Sequence, residues 1–241
     1  MSRKLEVKPA LRFYDRVKRI FFITGTDTGA GKTVLTVHLI KHLRAQGVNA
    51  AALKPICSGG RDDADLLRAA LNGALTLDEI NPWHFRAPVA PLLAARRERK
   101  RVKLSQIVAC ARTMQKRFDV LLVEGAGGLL SPLGEDFDSR DLIASLRATP
   151  IIVSPNRLGV VNQILLTLEA LPSSARTKAR VVLVLPLEPD ASTGTNADLL
   201  AERFDKRQIL MLPWLGKRFS LTCGLRNLRV LKTVQRLVSE F

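Results

Sequence analysis

The apolar, β-rich run Arg19–Thr24 leads through Gly25-Thr26-Asp27-Thr28-Gly29-Ala30-Gly31-Lys32-Thr33 directly into a segment with helical spacing. This order of strand, glycine-rich turn and helix constrains the fold more than any other feature of the chain. A turn of this kind lets backbone N–H groups converge on a phosphate, and the helix N-terminus behind it adds a favourable dipole. Lys32 supplies a point charge for the β- and γ-phosphates, and Thr33 presents a hydroxyl to Mg²⁺. Five residues separate Gly25 from the Gly31-Lys32 pair, one more than in the common phosphate loop.

The remainder of the chain repeats the alternation. Helical spacing over Lys32–Gln46 sets Leu35, Leu39, Ile40 and Leu43 on one side, and Gly47 stops it. Strands are expected at Val48–Leu53, Asp119–Val123, Ile151–Ser154 and Arg180–Leu185, with an edge strand at Gln208–Leu212. Helices are expected at Asp63–Leu71, Leu92–Glu98, Leu104–Arg117, Val160–Leu171, Ala197–Phe204 and Leu225–Val238. Asn81–Pro91 is punctuated by prolines and predicts no regular element. The strands are continuous apolar runs, so they read as buried on both faces. That makes the fold α/β, a single doubly wound parallel sheet of the P-loop NTPase type, with ligands outside the carboxyl ends of the strands. Residues 1–18 read as a basic extension and residues 19–241 as one P-loop catalytic domain.

Composition narrows the class. Hydrophobic residues are 46% of the 241, enough for a full core. No apolar run approaches the roughly 18 residues of a membrane helix, and none resembles a signal-peptide core with its cleavage site. The three cysteines Cys57, Cys110 and Cys223 are scattered without metal-ligand spacing. A reducing cytoplasm and no disulfide framework are therefore expected. The net charge of +16 is spread over the N-terminal lead, Arg96–Lys103 and the last third. Aromatic residues do not interleave with these runs, so solvated faces are expected rather than a nucleic-acid platform.

A bound triphosphate needs its metal held and its charge neutralised. Glu124 follows the strand Asp119–Val123 at the carboxyl edge of the sheet, where a carboxylate would reach Mg²⁺. Asp63 stands at the start of a helix, as a second metal ligand or as an N-cap, with Asp62 and Asp65 close by as alternatives. Lys54 ends the second strand and would neutralise charge on a transferring phosphoryl group, or is an ordinary exposed lysine. Ser58, in the same loop, is either a donor to phosphate or substrate oxygen or a turn serine.

Taken in order, these motifs resemble those of dethiobiotin synthetases. Gly25–Thr33 looks like their five-spacer phosphate loop, and Lys54-Pro55-Ile56-Cys57-Ser58-Gly59 their lysine-proline and serine-glycine loop. Asp63-Ala64, Asn81-Pro82-Trp83-His84-Phe85 with Pro88 and Pro91, and Val123-Glu124-Gly125-Ala126-Gly127-Gly128 with Ser131-Pro132-Leu133 are also similar. So are Leu158-Gly159 with Asn162, and Pro213-Trp214-Leu215; the likeness covers about residues 19–216.

The resemblance implies ATP as cosubstrate, Mg²⁺, and ring closure of 7,8-diaminopelargonic acid with CO₂ by way of a carbamate and its mixed anhydride with phosphate. It implies that Lys32, Lys54 and Ser58 are catalytic. Gly29, Ala30, Gly31, Lys32, Thr33, Val34, Asp63, Glu124, Gly125, Ala126, Gly127, Pro213, Trp214 and Leu215 would bind the nucleotide with its metal. Thr33, Asp63 and Glu124 would be the metal ligands, and Thr28 and Ser58 would line the diamine and carbamate site. It further implies a homodimer in which Leu158, Gly159 and Asn162 receive the substrate's carboxylate tail from the partner subunit. One departure is plain: many family members place an asparagine after the strand matching Arg180–Leu185, where this chain has Leu185 and Pro186. A nucleotide-switched ATPase of the partitioning or scaffold type shares the broad fold. Such switches usually carry an extra lysine early in the phosphate loop, and Gly25-Thr26-Asp27-Thr28 has none.

Overall fold

The computed structural model describes residues 18–215 and 228–239. The basic extension up to residue 17, Cys223 and the expected helix start at Leu225 lie outside the described residues. The strands are β1 (Arg19–Gly25), β2 (Ala50–Leu53), β3 (Ile56–Ser58), β4 (Trp83–Phe85), β5 (Val120–Gly128), β6 (Thr149–Pro155), β7 (Arg180–Val184) and β8 (Ile209–Leu212). The helices are α1 (Lys32–Ala45), α2 (Asp62–Ala70), α3 (Leu77–Ile80), α4 (Pro91–Arg97), α5 (Leu104–Arg117), α6 (Ser139–Leu146), α7 (Val160–Ala170), α8 (Ser173–Arg176), α9 (Asn196–Ala201) and α10 (Leu228–Ser239).

Six strands form one sheet in the order β2-β5-β1-β6-β7-β8, with every pairing parallel. A parallel sheet needs cover on both faces because its connections must cross over it. From β1 the chain crosses to β2 at one edge, whereas from β5 it crosses over β1 to β6 and on toward β8. Right-handed crossovers therefore place α1 on one face and α5, α6 and α7 on the other. The packing agrees: α1 contacts α2 and α10, α5 contacts α6, and α7 contacts α9. The point where the direction reverses is the carboxyl end of β1, from which the glycine-rich loop springs.

The core runs through both layers. Phe22, Ile23, Ala50–Leu53, Leu121–Val123 and Ile152–Val153 are fully buried in the sheet. Helix α1 is buried more widely than a single stripe, because Thr36, Val37 and His38 are covered as well as Leu35, Leu39, Ile40 and Leu43. The cause is position: α1 has the sheet beneath it and α2 and α10 against its flanks. Thr233 fastens α10 to β8, its hydroxyl donating to Met211 O at 2.6 Å.

Two expectations need correction. Asn81–Pro91 does contain a regular element: Trp83–Phe85 pairs in parallel with Ile56–Ser58 as a small second sheet. Those three positions hold no proline, so their N–H groups are available for the ladder. Trp83 N donates to Pro55 O at 3.1 Å and Gly59 N to Phe85 O at 2.9 Å, extending it at both ends. The strand expected at Asp119–Val123 runs on to Gly128, so Glu124 lies within β5 rather than after it. Helix α6 is a further element, with Leu142, Ile143 and Leu146 buried on one face. Asp138 caps it, Oδ1 accepting from Arg140 N and Asp141 N, and Asp141 closes the box by accepting from Asp138 N.

Candidate active site

The glycine-rich loop is held by its neighbours. Thr26 N donates to Val153 O at 3.1 Å, and Thr26 Oγ1 is 2.7 Å from Ser154 Oγ, so the loop starts pinned to β6. Gly31 is the N-cap of α1 with φ 96°, a left-handed conformation that a side chain would strain. A Cβ there would also meet Val184 Cγ2 at 3.2 Å. Lys32 is buried and its ammonium arches back to donate to Asp27 O at 2.9 Å. Burial first, and then the nearby Lys54, lower its pKa from the usual lysine value. Two ammonium groups this close favour an anion between or above them.

Strand register assembles the rest of the centre. Leu53 is paired with Val123 and Ile23 with Glu124, so Lys54 and Glu124 emerge side by side at the carboxyl rim. The backbone of Lys54 is clamped from behind: its N–H donates to Ile80 O, and Asn81 Nδ2 donates to its carbonyl, both at 2.8 Å. Its ammonium lies 2.7 Å from both Glu124 Oε1 and Asp63 Oδ2. Burial disfavours that charge, but the two carboxylates outweigh it and raise the pKa above the usual lysine value. Burial likewise works against ionised Asp63, and Lys54 and Thr33 reverse it, so the pKa of Asp63 is lowered.

Glu124 is fully buried and satisfied by neighbouring protein donors. Thr33 Oγ1 and Lys54 Nζ donate to Oε1, and Thr36 Oγ1 lies 2.7 Å from Oε2. A hydroxyl and two carboxylates form a hard oxygen set suited to a small divalent cation. The ammonium bridging Asp63 and Glu124 shows that these carboxylates are spaced to share one positive charge. The structure also separates the three aspartates. Asp63 turns inward, Asp62 is exposed, and Asp65 is 3.8 Å from Arg68 on the outer face of α2.

Above this centre opens a cavity of ≈ 760 Å³. Its floor is Thr28–Val34, with Lys54 and Asp63 at one side. Pro88–Pro91, Leu66 and Pro132 make an apolar wall, and Ala126, Gly127, Ser131, Cys57 and Ser58 complete it. Ser58 Oγ donates to Val89 O at 2.6 Å, so its proton is spent on fixing the proline wall and its oxygen remains an acceptor. Gly127, at φ 68°, lets the chain turn at the rim; a Cβ there would lie 2.5 Å from Ser131 Oγ, which accepts from Gly128 N.

Several expected site residues are placed elsewhere. Gly125 packs toward Phe22 and Ser139 rather than the cavity. Pro213–Leu215 follow β8 and do not line it. Leu158, Gly159 and Asn162 are exposed around the start of α7, Leu158 at 81%. Their loop is anchored by Asp190, which accepts from Leu158 N at 2.8 Å. Hydrogen bonds, from Ser192 first and then Leu158 N, pull the Asp190 pKa down to about 2. Beneath it, buried Asn156 joins β6 to the loop before α9 through Thr193 O and Asn196. Thr36 is a site residue that no motif singles out, although its position three residues after Thr33 puts both hydroxyls on one face of α1.

The family model described as an AAA domain matches residues 19–218. The ATP-dependent dethiobiotin synthetase BioD of Anaeromyxobacter dehalogenans is 40% identical over 201 residues, covering 81% of this chain and 90% of that protein. The protein of the same name from Thermodesulfovibrio yellowstonii is 35% identical over 216 residues, covering 83% and 90%. Among solved structures, the MinC:MinD cell division protein complex of Aquifex aeolicus matches with a TM-score of 0.58 at 16% identity, over 92% of this chain and 97% of that one. That likeness shows the fold alone. With its parallel sheet, phosphate loop and relatives of this identity and coverage, the chain belongs to the ATP-dependent dethiobiotin synthetase family.

Proposed function

We propose that this enzyme closes the ureido ring of dethiobiotin from 7,8-diaminopelargonic acid, CO₂ and ATP. The observation that carries the reading is the convergence of Lys32, Lys54, Thr33 and Asp63, backed by buried Glu124, at one end of a cavity whose other wall is apolar. One amine of the diamine attacks CO₂ and loses a proton, giving a carbamate. A carbamate oxygen attacks the γ-phosphorus as the bond to the ADP oxygen breaks. The second amine then attacks the carbamoyl carbon, loses a proton and expels phosphate.

The residues suit these steps. The loop amides of Gly29–Thr33 and the Lys32 ammonium bind the triphosphate chain. Lys54 stabilises charge that builds on the transferring phosphoryl group, in a site where water is partly excluded. Thr28 and the acceptor oxygen of Ser58 face the diamine and its carbamate, and the wall of Pro88–Pro91 covers the alkyl part. Thr33, Asp63 and Glu124 would hold Mg²⁺, which supplies charge neutralisation on the phosphate oxygens.

We place the catalytic unit at 19–241, after a basic extension of residues 1–18, in the cytoplasm. We propose a homodimer in which exposed Leu158, Gly159 and Asn162 meet the substrate tail held by the other subunit. Pro213–Leu215 would flank the base. Nucleic acid has no part in this reading.

Incubation with the diamine, bicarbonate, Mg²⁺ and ATP tests the reaction. Phosphate release that requires the diamine, with dethiobiotin detected by mass, is the expected result. Phosphate release indifferent to the diamine would refute it.

A further inference from the structure

We propose that Thr36 is a positioning residue that sets the plane of the Glu124 carboxylate. The proposal rests on the reading of this site as a metal-and-triphosphate centre. Thr36 is fully buried in the second turn of α1, one helical step behind Thr33. Its hydroxyl is 2.9 Å from Lys32 O and 2.7 Å from Glu124 Oε2. The first contact is the back-bond that threonine commonly makes within a helix. The second is to an ionised acceptor, and a single hydroxyl proton gains more from the charged partner.

The geometry gives this contact a purpose. A glutamate carboxylate turns almost freely about its last torsion, because that torsion is broad and roughly two-fold. Oε1 is taken by Thr33 and Lys54, and Oε2 by Thr36. Thr33 and Thr36 thus grip the two oxygens of one carboxylate from a single helical face, joining α1 to β5. Without Thr36 the carboxylate can rotate, and Oε1 is no longer directed at the position between Thr33, Asp63 and Lys54. Groups that orient a metal-binding carboxylate typically change metal affinity or activity by about 10–100-fold when removed.

The test uses the whole enzyme with Thr36→Val, which keeps the shape and removes the hydroxyl, and Thr36→Ser, which keeps the hydroxyl and removes the methyl. Thermal shifts with a non-hydrolysable ATP analogue are titrated with Mg²⁺, and kcat and KM are measured in parallel. In Thr36→Val, the metal-free analogue should still shift the melting temperature as in the wild type, since Thr36 bonds the Lys32 carbonyl and not its ammonium or the loop amides. The Mg²⁺ concentration at half-effect should rise about tenfold or more, and kcat should fall by about 10–100-fold. Thr36→Ser should restore most of both. A folded Thr36→Val with a wild-type Mg²⁺ response overturns the proposal. So does a Thr36→Ser that is about tenfold impaired, which would make the methyl packing the cause; that variant decides the matter even if the valine protein does not fold. A wild type without diamine-dependent turnover but with a Mg²⁺ response would sink the reaction and leave the Thr36 result to stand or fall by itself. A wild type whose nucleotide binding ignores Mg²⁺ sinks both.

Discussion

Lys54 and Glu124 form a largely buried pair, with Lys54 4% and Glu124 0% exposed. Removing one member of such a pair leaves a buried charge, which typically costs about 3–5 kcal/mol. Lys54→Ala should therefore destroy turnover and also lower the melting temperature by roughly 6–20 °C in a domain of this size. The fold does not stay untouched, in contrast to what an exposed lysine would allow. Adding Glu124→Gln should recover much of the lost stability, since the neutral amide needs no counter-charge, and a double-mutant cycle by calorimetry measures that coupling. Simple additivity would show that the pair is not coupled in this way. His38, fully covered within α1, makes a separate prediction. Burial first, with Lys41 adding to it, lowers its pKa from 6.5 to about 4. The unfolded chain thus binds more protons between those values. The stability present above pH 6.5 is lost as pH falls toward 4, by up to about 3 kcal/mol. His42, also lowered by burial, acts in the same direction. Urea midpoints measured between pH 7 and 4 should fall, and should fall less in His38→Gln. An equal slope in that variant would assign the loss to other groups.

At the level of elements, the site is three carboxyl-end loops held against one another. The loop after β1 is tied to β6 through Thr26 and Ser154. The loop after β2 is tied to the end of α3 through Lys54, Ile80 and Asn81. The end of β5 is folded over by the Gly128–Ser131 contact. Gly127→Ala attacks the last of these, because its Cβ would displace Ser131 Oγ and its positive φ would be strained. A residue forced into such a conformation costs about 1–3 kcal/mol. The variant should lose that much in denaturant unfolding and should raise KM for the diamine, since Gly127 and Ser131 line the cavity wall. Unchanged constants would mean that the rim can rearrange without consequence.

For the molecule as a whole, the cavity lies at the place where strand order reverses, and large apolar side chains are left exposed at and before α7. Leu158, two residues before α7, is 81% exposed, and Leu166 within it 62%. Large apolar side chains left exposed can take part in a protein–protein contact. If the enzyme is a homodimer through α7, Leu166→Asp should shift the particle toward monomer in sedimentation velocity and reduce turnover at low protein concentration. A wild-type protein that is monomeric at micromolar concentration would refute this.

Strand, glycine-rich turn and helix follow one another without interruption at Arg19–Ala45, so this unit is written in neighbouring residues. Their periodicity and backbone freedom act over a few positions, which is why the order of residues alone reveals Lys32, Thr33 and the parallel sheet. Glu124 is legible for the same reason, as a carboxylate on an apolar strand. What lies beyond the sequence is every choice made by residues far apart in the chain. Only the register Leu53 to Val123 brings Lys54 against Glu124, and only the packing of α2 turns Asp63 inward while Asp62 and Asp65 face out. The strand at Trp83–Phe85 exists because β3 offers it a partner, and Ser58 gives its proton to Val89 because the proline wall comes within reach. Local spacing carries propensity and periodicity; a buried charge finds its partners through the three-dimensional stacking of strands, and that is a property of the folded chain alone.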